Sequence, residues 1–558
     1  MKKYSYLLIW LVPVVLIVAN IALAFTETDP LLAKFTNIIL PFGIYLFLMG
    51  FWKRTGIAAL LSLPFMIYSA FQIVLLFLYG ERIIAVDMFL NVATTNFTEA
   101  TELLANLVSA IVTVCILYLP PLVWGGILAS KGICTAANQR HKAVKAGIIS
   151  ALAGAGALVA CYITVPGYAV SRNLFPINVI SNMCEAIMRF HATKNYPQTS
   201  AGFVFDAQST RPDSLQEIYV MVVGETARAC NWQLAGYNRP TTPRLARRHD
   251  IVFFNRVLSE SNTTHKSVPM ILSPLDASNF GDSIYHTKSI IETFNEAGYR
   301  TAFISNQKRN GSFIDFFGNQ ADETIFINDG NDNGERFDID LIDEMESFIS
   351  RNSDARKLMI VLHTYGSHFK YEGRYPASSA VFTPDNALDA TASNRPTLIN
   401  AYDNTIAYTD LFLDSLASCL GATGRPSAFV YLSDHGEDIF DDERERFLHA
   451  SPNPTYYQIH VPMLLWMSDS LRTIEPEKFN TAVGHASSKI SSSKSAFNTL
   501  INLAGITTPS YRPAWSVTDT AFVEQPRIYL NDYNESVRLD DSGLRRQDFE
   551  ILNKSKVL

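Results

Sequence analysis

Five long apolar runs occupy most of the first 170 residues, and they constrain the fold more than any other feature of the sequence. The runs cover residues 4–25, 31–52, 55–79, 104–130 and 146–169. A helix needs about 20 apolar residues to cross the hydrocarbon core of a bilayer, and each run reaches that length. The sequence therefore predicts an α-helical membrane domain with five transmembrane helices within residues 1–170.

The charges between the runs predict how this domain is oriented. Basic residues lie before the first run, between the second and third, and between the fourth and fifth: Lys2, Lys3, Lys53, Arg54, Lys131, Arg140, His141, Lys142 and Lys145. The other two loops carry acidic residues such as Glu27, Asp29 and Asp87. Because cytoplasmic loops are enriched in lysine and arginine, we expect a cytoplasmic amino terminus. Five crossings then place the chain after residue 170 outside the cytoplasm.

Two alternatives exist for this first part. The first run could be a cleaved signal peptide, because Ala22 and Ala24 fit a cleavage site, although the run is long and four more follow. The helices could also form a pore or transporter. Such pathways usually need ionisable residues inside the membrane, and these runs contain almost none. An anchor that also gathers a lipid substrate fits better.

A polar stripe lies between the third and fourth runs. Asn91, Thr95 and Glu99 are spaced four residues apart, so on a helix they share one face. The spacing alone is compatible with a solvated face and with contact to a lipid headgroup, and it favours the solvated face.

The rest of the chain has the pattern of an α/β protein. The composition of residues 171–214 predicts an interfacial helix followed by a linker. Short β-rich runs then alternate with helical stretches, at 217–225, 301–305, 358–363, 427–436 and 460–468. This alternation predicts a domain over 215–558 with a mostly parallel central sheet and helices on both faces. Sites in such sheets form at the carboxyl ends of strands, where Glu225, His363, Asp434 and His435 fall.

Composition excludes some functions. The formal net charge of −7 argues against nucleic acid as a partner, because such binding depends on positive charge. The six cysteines are scattered without a CxxC motif, so neither a zinc ribbon nor a dense disulfide framework is predicted. Cys230 and Cys419 could pair, and the sequence leaves that question open.

Asp434 and His435 are the first candidates for a metal site. Oxygen and nitrogen donors without cysteine suit zinc or a harder divalent ion. The two side chains can converge only if the strand breaks after them, and Gly436 permits that break. The alternative is an ordinary surface turn. Glu225 also ends a strand, and we expect a helix to start in the following stretch TARACNW, which makes an ordinary β-α corner or a phosphate-binding helix terminus.

The polar loop 259–269 offers a candidate nucleophile. It carries Thr263, Thr264 and His265 just before an apolar helix. A threonine hydroxyl is a poor nucleophile unless a metal or base activates it. The alternative is a helix cap followed by a linker.

Several motifs together resemble one family. VVGETARACNWQLAGYNRPTTPRL, TTHKSVP, LHTYGSHFKYEGRYP, YDNTIAYTD, YLSDHGED and HVPMLLW occur here in the order found in phosphoethanolamine transferases. These are the lipid A-modifying membrane enzymes that include the mobile colistin-resistance proteins. The resemblance covers nearly the whole chain, including the five-span anchor. It implies an alkaline-phosphatase-like catalytic domain of the alkaline phosphatase and sulfatase superfamily.

The resemblance also implies roles for individual residues. Thr264 is the expected nucleophile, and one zinc ion (Zn2+) is expected on Glu225, Thr264, Asp434 and His435, with a second zinc left open. Three residues are expected to contact the headgroup: His368, His449 and Asn306. The two histidines could also stabilise charge, move protons or hold the second zinc. The polar stripe of Asn91, Thr95 and Glu99 is implied to face the substrate, which reverses the preference from spacing alone.

The implied activity is transfer of phosphoethanolamine from phosphatidylethanolamine to a glycolipid, expected to be lipid A. It would proceed through a covalent intermediate on Thr264 and release diacylglycerol. We expect a monomer in the bacterial inner membrane, with a periplasmic catalytic domain and a link to polymyxin resistance. Alternatives are a phosphoglycerol transferase, a phosphodiesterase and an inactive binding protein. A sulfatase activity does not fit, because HKSVP follows Thr264.

Three departures from the family pattern stand out. Known members bracket the nucleophile loop with a disulfide, and those positions are Glu260 and Met270 here, so packing or the metal must hold the loop. His265 follows the nucleophile where relatives have a small residue, and its role is open. Glu437 and Asp438 match no ligand position, so we expect them to begin a solvated acidic face that runs to residue 445.

Overall fold

The computed structural model describes residues 4–27, 29–80, 84–94, 107–329, 336–387 and 389–558. Its contacts form two compact units, described separately below. The first comprises Met1–Ala93, Phe97–Met188 and Arg444–Arg446, and the second comprises Thr94–Asn96, Arg189–Glu443 and Phe447–Leu558. The main division along the chain therefore falls at Met188, inside the predicted connector of residues 171–214.

The first unit is helical. Its helices are α1 Leu7–Leu16, α2 Val18–Thr26, α3 Leu31–Phe51, α4 Thr55–Leu61, α5 Leu63–Tyr79, α6 Val86–Thr94, α7 Val108–Ser130, α8 Ala137–Thr164 and α9 Val170–Asn173, and α10 Ile177–Lys194 crosses the division between the units. Among the described residues, four helices are long and apolar enough to span a membrane, counting α1 and α2 as one. The pair α4–α5 is bent by 49° and gives a fifth span if it is continuous. The prediction of a five-helix membrane domain is confirmed in this form.

The last membrane helix begins earlier than predicted. Helix α8 starts at Ala137 rather than near residue 146, so Arg140 and Lys145 lie in the helix rather than in the preceding loop. The apolar run marks only the part that suits the bilayer, and a helix continues beyond it wherever its backbone hydrogen bonds can still form.

Small residues allow α3 and α8 to approach closely. A Cβ atom added at Gly43 would lie 2.3 Å from the backbone nitrogen of Ala151, and one at Gly154 would lie 2.6 Å from Leu40. Helices in membranes associate through such close packing, since hydrocarbon gives no hydrophobic drive for association. These glycines therefore fix the main helix pair of the first unit.

The polar stripe is only partly described. Asn91 lies half-buried on α6. Thr95 and Glu99 lie outside the described residues, so the predicted contact of this stripe with substrate stays a prediction.

The second unit is built around a seven-stranded sheet of order β3-β11-β8-β2-β7-β5-β6. Its fifteen strands, counted over the described residues, are β1 Gln208–Ser209, β2 Glu217–Gly224, β3 Ile251–Phe254, β4 Val257–Leu258, β5 Arg300–Ser305, β6 Glu323–Phe326, β7 Lys357–His363, β8 Ser427–Ser433, β9 Asp438–Ile439, β10 Phe447–Leu448, β11 Met463–Met467, β12 Ile490–Ser491, β13 Ile506–Thr507, β14 Ile528–Leu530 and β15 Ser536–Arg538. All five predicted strands lie in the main sheet. Strands β8, β2, β7, β5 and β6 are parallel, and β11 pairs antiparallel with β8 and β3, so the mostly parallel sheet is confirmed.

Helices cover both faces of this sheet. The helices of the second unit that follow α10 are α11 Tyr196–Thr199, α12 Thr264–Ile271, α13 Ile290–Glu296, α14 Phe313–Gly318, α15 Asp340–Arg351, α16 Arg395–Ala422, α17 Tyr456–Ile459, α18 Asp469–Ile474, α19 Pro476–Gly484, α20 Ser492–Ala504 and α21 Arg546–Lys554. Alternate residues of β2 enter two separate apolar cores, with Val220 on one face and Met221 on the other. A strand buried on both faces explains the unbroken apolar run IYVMVV.

The helix predicted after Glu225 is absent from this described stretch. Only a short 3-10 turn forms, at Ala229–Asn231. Thr226 has a left-handed backbone with φ of 59°, which interrupts a helix before it can start. The helix terminus near Glu225 belongs to α12 instead, which begins at Thr264.

Candidate active site

Two neighbouring parallel strands bring the first acidic groups together. In the pairing of β2 with β8, Gly224 lies opposite Ser433, so Glu225 and Asp434 follow their strands side by side. The left-handed conformation of Thr226 directs its backbone N–H to Asp434 Oδ1 at 3.0 Å. Glu225 and Asp434 are both buried, so the alternative of a solvated surface turn at Asp434 is wrong.

Thr264 reaches the same point from the opposite side. It is the first residue of α12, and the extended backbone of Thr263 precedes it. Its Oγ1 lies 2.9 Å from His435 Nε2 and 3.3 Å from Glu225 Oε1. The four residues that the resemblance implied as zinc ligands are therefore gathered around one point by three separate chain segments.

The unsatisfied atoms of this group fit a bound cation. Asp434 Oδ2 is buried without a hydrogen-bond partner and lies 3.2 Å from His435 Nε2. A buried carboxylate oxygen with no donor is costly unless a metal or a proton compensates it. The donor set of three oxygens and one imidazole nitrogen suits zinc. Donor atoms of Glu225, His435 and His449 also lie within 4.8 Å of one another, so His449 can join the ligands.

The electrostatics of the group also call for a cation. Burial raises the pKa of Glu225, and the nearby carboxylate of Asp434 raises it further. Burial likewise raises the pKa of Asp434. Burial, followed by the charge of His449, holds the pKa of His435 well below its usual range, so that imidazole is neutral. Two adjacent acidic groups and a neutral histidine make a site that a divalent cation stabilises.

Glu437 is a functional candidate that the sequence interpretation missed. It is fully buried, accepts a hydrogen bond from Tyr371 Oη through Oε1, and lies 3.0 Å from His449 Nδ1 through Oε2. Asp438 is buried as well. The prediction that both residues belong to a solvated face is wrong, because the chain turns into β9 at Asp438 and carries both side chains inward.

The carboxylate of Glu437 orients His449. A hydrogen bond to Nδ1 fixes the ring and its tautomer, and leaves Nε2 for the site. The ring of His449 lies 4.1 Å from that of His435 and 6.1 Å from that of His368, measured between centroids. His449 is therefore a neighbour of both the predicted metal ligand His435 and the second predicted histidine, His368.

His368 lies near His449 in the same site. Its pKa is lowered to about 3, first by burial and then by the charge of Arg374, so its imidazole is neutral. Arg374 donates to the backbone carbonyl oxygens of His368 and Phe369, and its guanidinium stacks 3.8 Å from the ring centroid of Tyr365. This arginine fixes the loop that presents His368.

The neighbouring residues Asn306 and Gln307 make different contacts at this edge of the sheet. Asn306 is buried, and its amide donates to Asp338 Oδ1 at 2.7 Å and accepts from Asn328. Gln307 Nε2 instead donates to Glu225 Oε2 at 3.1 Å and to the carbonyl oxygen of Thr364. A headgroup contact for Asn306 stays a prediction, while Gln307 touches a predicted metal ligand directly.

The nucleophile loop is held by a buried ionic brace. Glu260 accepts from the backbone N–H of Ala277 at 2.8 Å and from the hydroxyl of Ser493 at 2.6 Å. Lys494 lies 3.8 Å from Glu260 and 3.5 Å from Asp276. All six cysteines, each within the described residues, are free thiols, so Cys230 and Cys419 do not pair. The sequence left packing or the metal as the means of holding this loop, and these contacts supply packing.

A second network ties the nucleophile loop to the loop that follows His449. Asn262 donates to Gln458 Oε1 at 2.6 Å and to the carbonyl oxygen of Ser451 at 2.8 Å. Gln458 in turn donates to Asp438 Oδ2 at 2.7 Å. Because these groups are buried and mutually satisfied, they set the spacing between Thr264 and His449.

Two remaining candidates differ in their relation to the site. His363 ends β7 but is buried beside Ser305, which lies 3.0 Å from its Nδ1, and burial lowers its pKa to about 4. It is a neutral core histidine. His265 is half-buried at the second position of α12 and lies close enough to His435 to influence its pKa.

Comparison with known proteins defines the class. The family model described as sulfatase matches residues 217–506, and the chain belongs to that family. The matched segment holds the central sheet and the predicted site residues Glu225, Thr264, Asn306, His368, Asp434, His435 and His449.

The curated relatives point to a smaller group within this family. Phosphoethanolamine transferase EptA of Escherichia coli strain K12 is 31% identical over 312 residues, which cover 55% of this chain and 56% of that protein. The chain thus spans about 56% of the length of the curated relatives it matches. The resemblance to phosphoethanolamine transferases that the motifs indicated is confirmed.

Solved structures support the same assignment. The crystal structure of the C-terminal periplasmic domain of EptC from Escherichia coli, in complex with Zn, is 26% identical with a TM-score of 0.54, covering 62% of this chain and 98% of that one. The integral membrane protein lipooligosaccharide phosphoethanolamine transferase A from Neisseria meningitidis has a TM-score of 0.70 at 24% identity, covering 92% of this chain and 98% of that one. That likeness shows a shared fold: an apolar helical region followed by an alkaline-phosphatase-like domain.

Proposed function

We propose that this protein transfers phosphoethanolamine from phosphatidylethanolamine to a glycolipid acceptor, lipid A, through a covalent intermediate on Thr264. One observation carries the proposal: Thr264 Oγ1 lies 2.9 Å from His435 Nε2 and 3.3 Å from Glu225 Oε1, at the start of α12. The names of the relatives supply the transferred group. The presence of an apolar helical unit on the same chain favours lipid substrates.

Zinc is the cofactor that the donor set fits, and Glu225, Thr264, Asp434 and His435 would hold it. When bound, zinc lowers the pKa of a coordinated hydroxyl and neutralises charge on phosphoryl oxygens. The chain contributes the preorganisation. Gln307 and Thr226 hold the two oxygens of Glu225, and the backbone N–H groups of Thr226 and His435 hold Oδ1 of Asp434.

The first half-reaction breaks the bond between phosphorus and the glycerol oxygen of the donor. Thr264 Oγ1 loses its proton and forms a bond to phosphorus, and the departing glycerol oxygen takes up a proton to give diacylglycerol. The amino-terminal end of α12 carries a partial positive charge, which favours the phosphoryl group at Thr264. Phosphoethanolamine then remains esterified to Thr264.

The second half-reaction regenerates the threonine. An oxygen of the acceptor bonds to phosphorus, the bond to Thr264 Oγ1 breaks, and the threonine recovers its proton. His449 is the best placed residue to move these protons, because Glu437 holds its Nδ1 and its ring lies beside His435. His368, which is neutral and lies near His449, positions the headgroup.

We assign the second unit to the periplasm and the amino terminus to the cytoplasm. This orientation rests on the basic loops between alternate apolar runs. Phosphatidylethanolamine and lipid A are both membrane lipids, so a membrane-anchored catalytic unit meets both without releasing either into water.

The test is reconstitution of the purified full-length protein with lipid A and either phosphatidylethanolamine or phosphatidylglycerol. We expect mass spectrometry to detect phosphoethanolamine on lipid A, and an adduct on Thr264 when the acceptor is omitted. Thr264→Ala should abolish both signals, whereas Thr263→Ala should retain the adduct. Transfer from phosphatidylglycerol alone, or an undiminished product with Thr264→Ala, would refute the proposal.

A further inference from the structure

The membrane unit contains a cavity of about 210 Å³ at the bend between α4 and α5. Residues on both sides of that bend, Ala58, Leu61 and Phe65, line it together with residues of α1 and α3. The 49° bend separates these two short helices, and residues of both form one side of the cavity.

The cavity is open towards the surface of the unit. Its floor is buried, with Val12 at 0% and Met49 at 2% exposure, whereas Leu48, Trp52 and Leu61 are 42%, 44% and 56% exposed. Large exposed apolar side chains on a transmembrane helix face lipid. The rim therefore faces acyl chains rather than water, and an apolar chain is the group that can enter.

A polar atom inside the cavity wall points to a specific ligand. Tyr45 lines the cavity and is 5% exposed, and its hydroxyl has no hydrogen-bond partner within the described part of the chain. A buried hydroxyl without a partner is costly, and the cost is greater where no water can reach it. The hydroxyl oxygen is covered by the wall, so a rotation of the Tyr45 side chain has to bring it to a ligand in the cavity. An ester carbonyl can then accept this hydrogen bond, whereas a plain hydrocarbon cannot.

Three basic residues lie near Trp52, which is part of the exposed rim of the cavity. Lys53 and Arg54 follow Trp52 directly and are exposed, and Arg140 donates to the carbonyl oxygen of Phe51 at 3.2 Å. None of these three cations has a carboxylate partner among the described residues. Unpaired lysine and arginine at the end of membrane helices attract anionic headgroups. Tryptophan at the same level is typical of the membrane interface.

We propose that this cavity binds one acyl chain of an anionic phospholipid of the phosphatidylglycerol class. The headgroup lies at Lys53, Arg54 and Arg140, and Tyr45 donates a hydrogen bond to an ester carbonyl. The volume is below the roughly 300–1,000 Å³ of sites that enclose a whole small ligand, so a chain segment occupies it rather than a headgroup. Under the orientation proposed above, this lipid comes from the cytoplasmic leaflet, away from the transfer chemistry.

The experiment uses the full-length protein in nanodiscs of phosphatidylethanolamine doped with a photoreactive lipid. Two probes carry the same diazirine acyl chain, one on phosphatidylglycerol and one on phosphatidylethanolamine. After irradiation, peptide mapping should find the phosphatidylglycerol probe on the Tyr45–Met49 peptide, with competition by unlabelled phosphatidylglycerol. Tyr45→Phe should reduce this labelling about fivefold, the effect of losing one ordinary hydrogen bond.

Matched variants separate the site from general contact with lipid. Tyr168→Phe removes another buried hydroxyl that has no hydrogen-bond partner among the described residues and that lies outside the cavity lining, and it should leave the labelling unchanged. Lys53→Gln with Arg54→Gln should remove the preference for phosphatidylglycerol. Equal labelling by both probes, equal labelling at the exposed residues Ile149 and Leu152, or no effect of Tyr45→Phe would each overturn the proposal.

Discussion

The side-chain amide of Gln307 donates a hydrogen bond to Glu225 Oε2 at 3.1 Å, and the same amide donates to the carbonyl oxygen of Thr364 at 2.9 Å. Glu225 is thereby held through one oxygen, while Oε1 faces Thr264 and His435. Groups that hold metal ligands in this way tune metal affinity, although they touch no metal.

Replacing Gln307 should therefore weaken zinc binding. Gln307→Leu keeps the volume but removes the donor, and we expect the dissociation constant for zinc to rise about 10- to 100-fold. Competition with a chromophoric chelator measures this on the purified full-length protein. Lys308→Met, at the exposed neighbouring position, is the control and should bind zinc normally. Equal affinity in Gln307→Leu and wild type would contradict the assignment.

Zinc binding should release protons and weaken as the pH falls. Burial raises the pKa values of Glu225 and Asp434, so the metal-free pair retains protons at pH values where ordinary carboxyl groups have lost them. A divalent cation binds the deprotonated forms, so binding displaces those protons and low pH opposes it. Calorimetry in buffers with different ionisation enthalpies measures the release. A binding enthalpy that is identical in all buffers would contradict this coupling.

Glu437→Gln should slow the reaction with little effect on zinc affinity. The amide can still contact His449, but it cannot stabilise a positive charge on the ring, so we expect kcat to fall about 100-fold. Initial rates of lipid A modification measure this effect. Glu443→Gln, an exposed residue of the same acidic run, should retain wild-type rates. An unchanged kcat in Glu437→Gln would show that Glu437 plays no part in proton transfer.

Lys494→Met should destabilise the second unit. The change leaves Glu260 and Asp276 buried beside each other without a cation, and removal of one partner from a buried ion pair costs about 3 kcal/mol. Denaturant unfolding of the full-length protein, followed by tryptophan fluorescence, measures the loss. Lys554→Met is an exposed control. A reducing agent should leave the wild-type transition in place, since the cysteines are free thiols.

Much of the fold was predictable because it depends on local patterns. The five strands of the main sheet that were predicted are runs of apolar residues buried on both faces, and such runs are visible in one sequence. The edge strands β3 and β6 were not predicted. They have four residues each and are only partly buried, so their β-rich runs are shorter than most of those of the predicted strands.

The site was predictable only in part. Glu225, Asp434 and His435 end strands, and a parallel sheet brings strand ends together, so their proximity follows from the pattern. Thr264 rather than Thr263 was chosen by resemblance to a family. Glu437 and Gln307 were missed because their partners are distant in the chain. Tyr371 lies 66 residues from Glu437, and Glu225 lies 82 residues from Gln307.

The sequence by itself therefore determined the membrane helices, the parallel sheet and the chemical class of the site. Bilayer thickness and strand burial impose periodic apolar patterns on consecutive residues, so these features can be recognised locally. Only the tertiary structure decided that Glu437 is buried against His449, that Gln307 reaches Glu225, and that an ionic brace holds the nucleophile loop. Those contacts join distant segments, and their energy depends on which groups exclude water together, which no local pattern records.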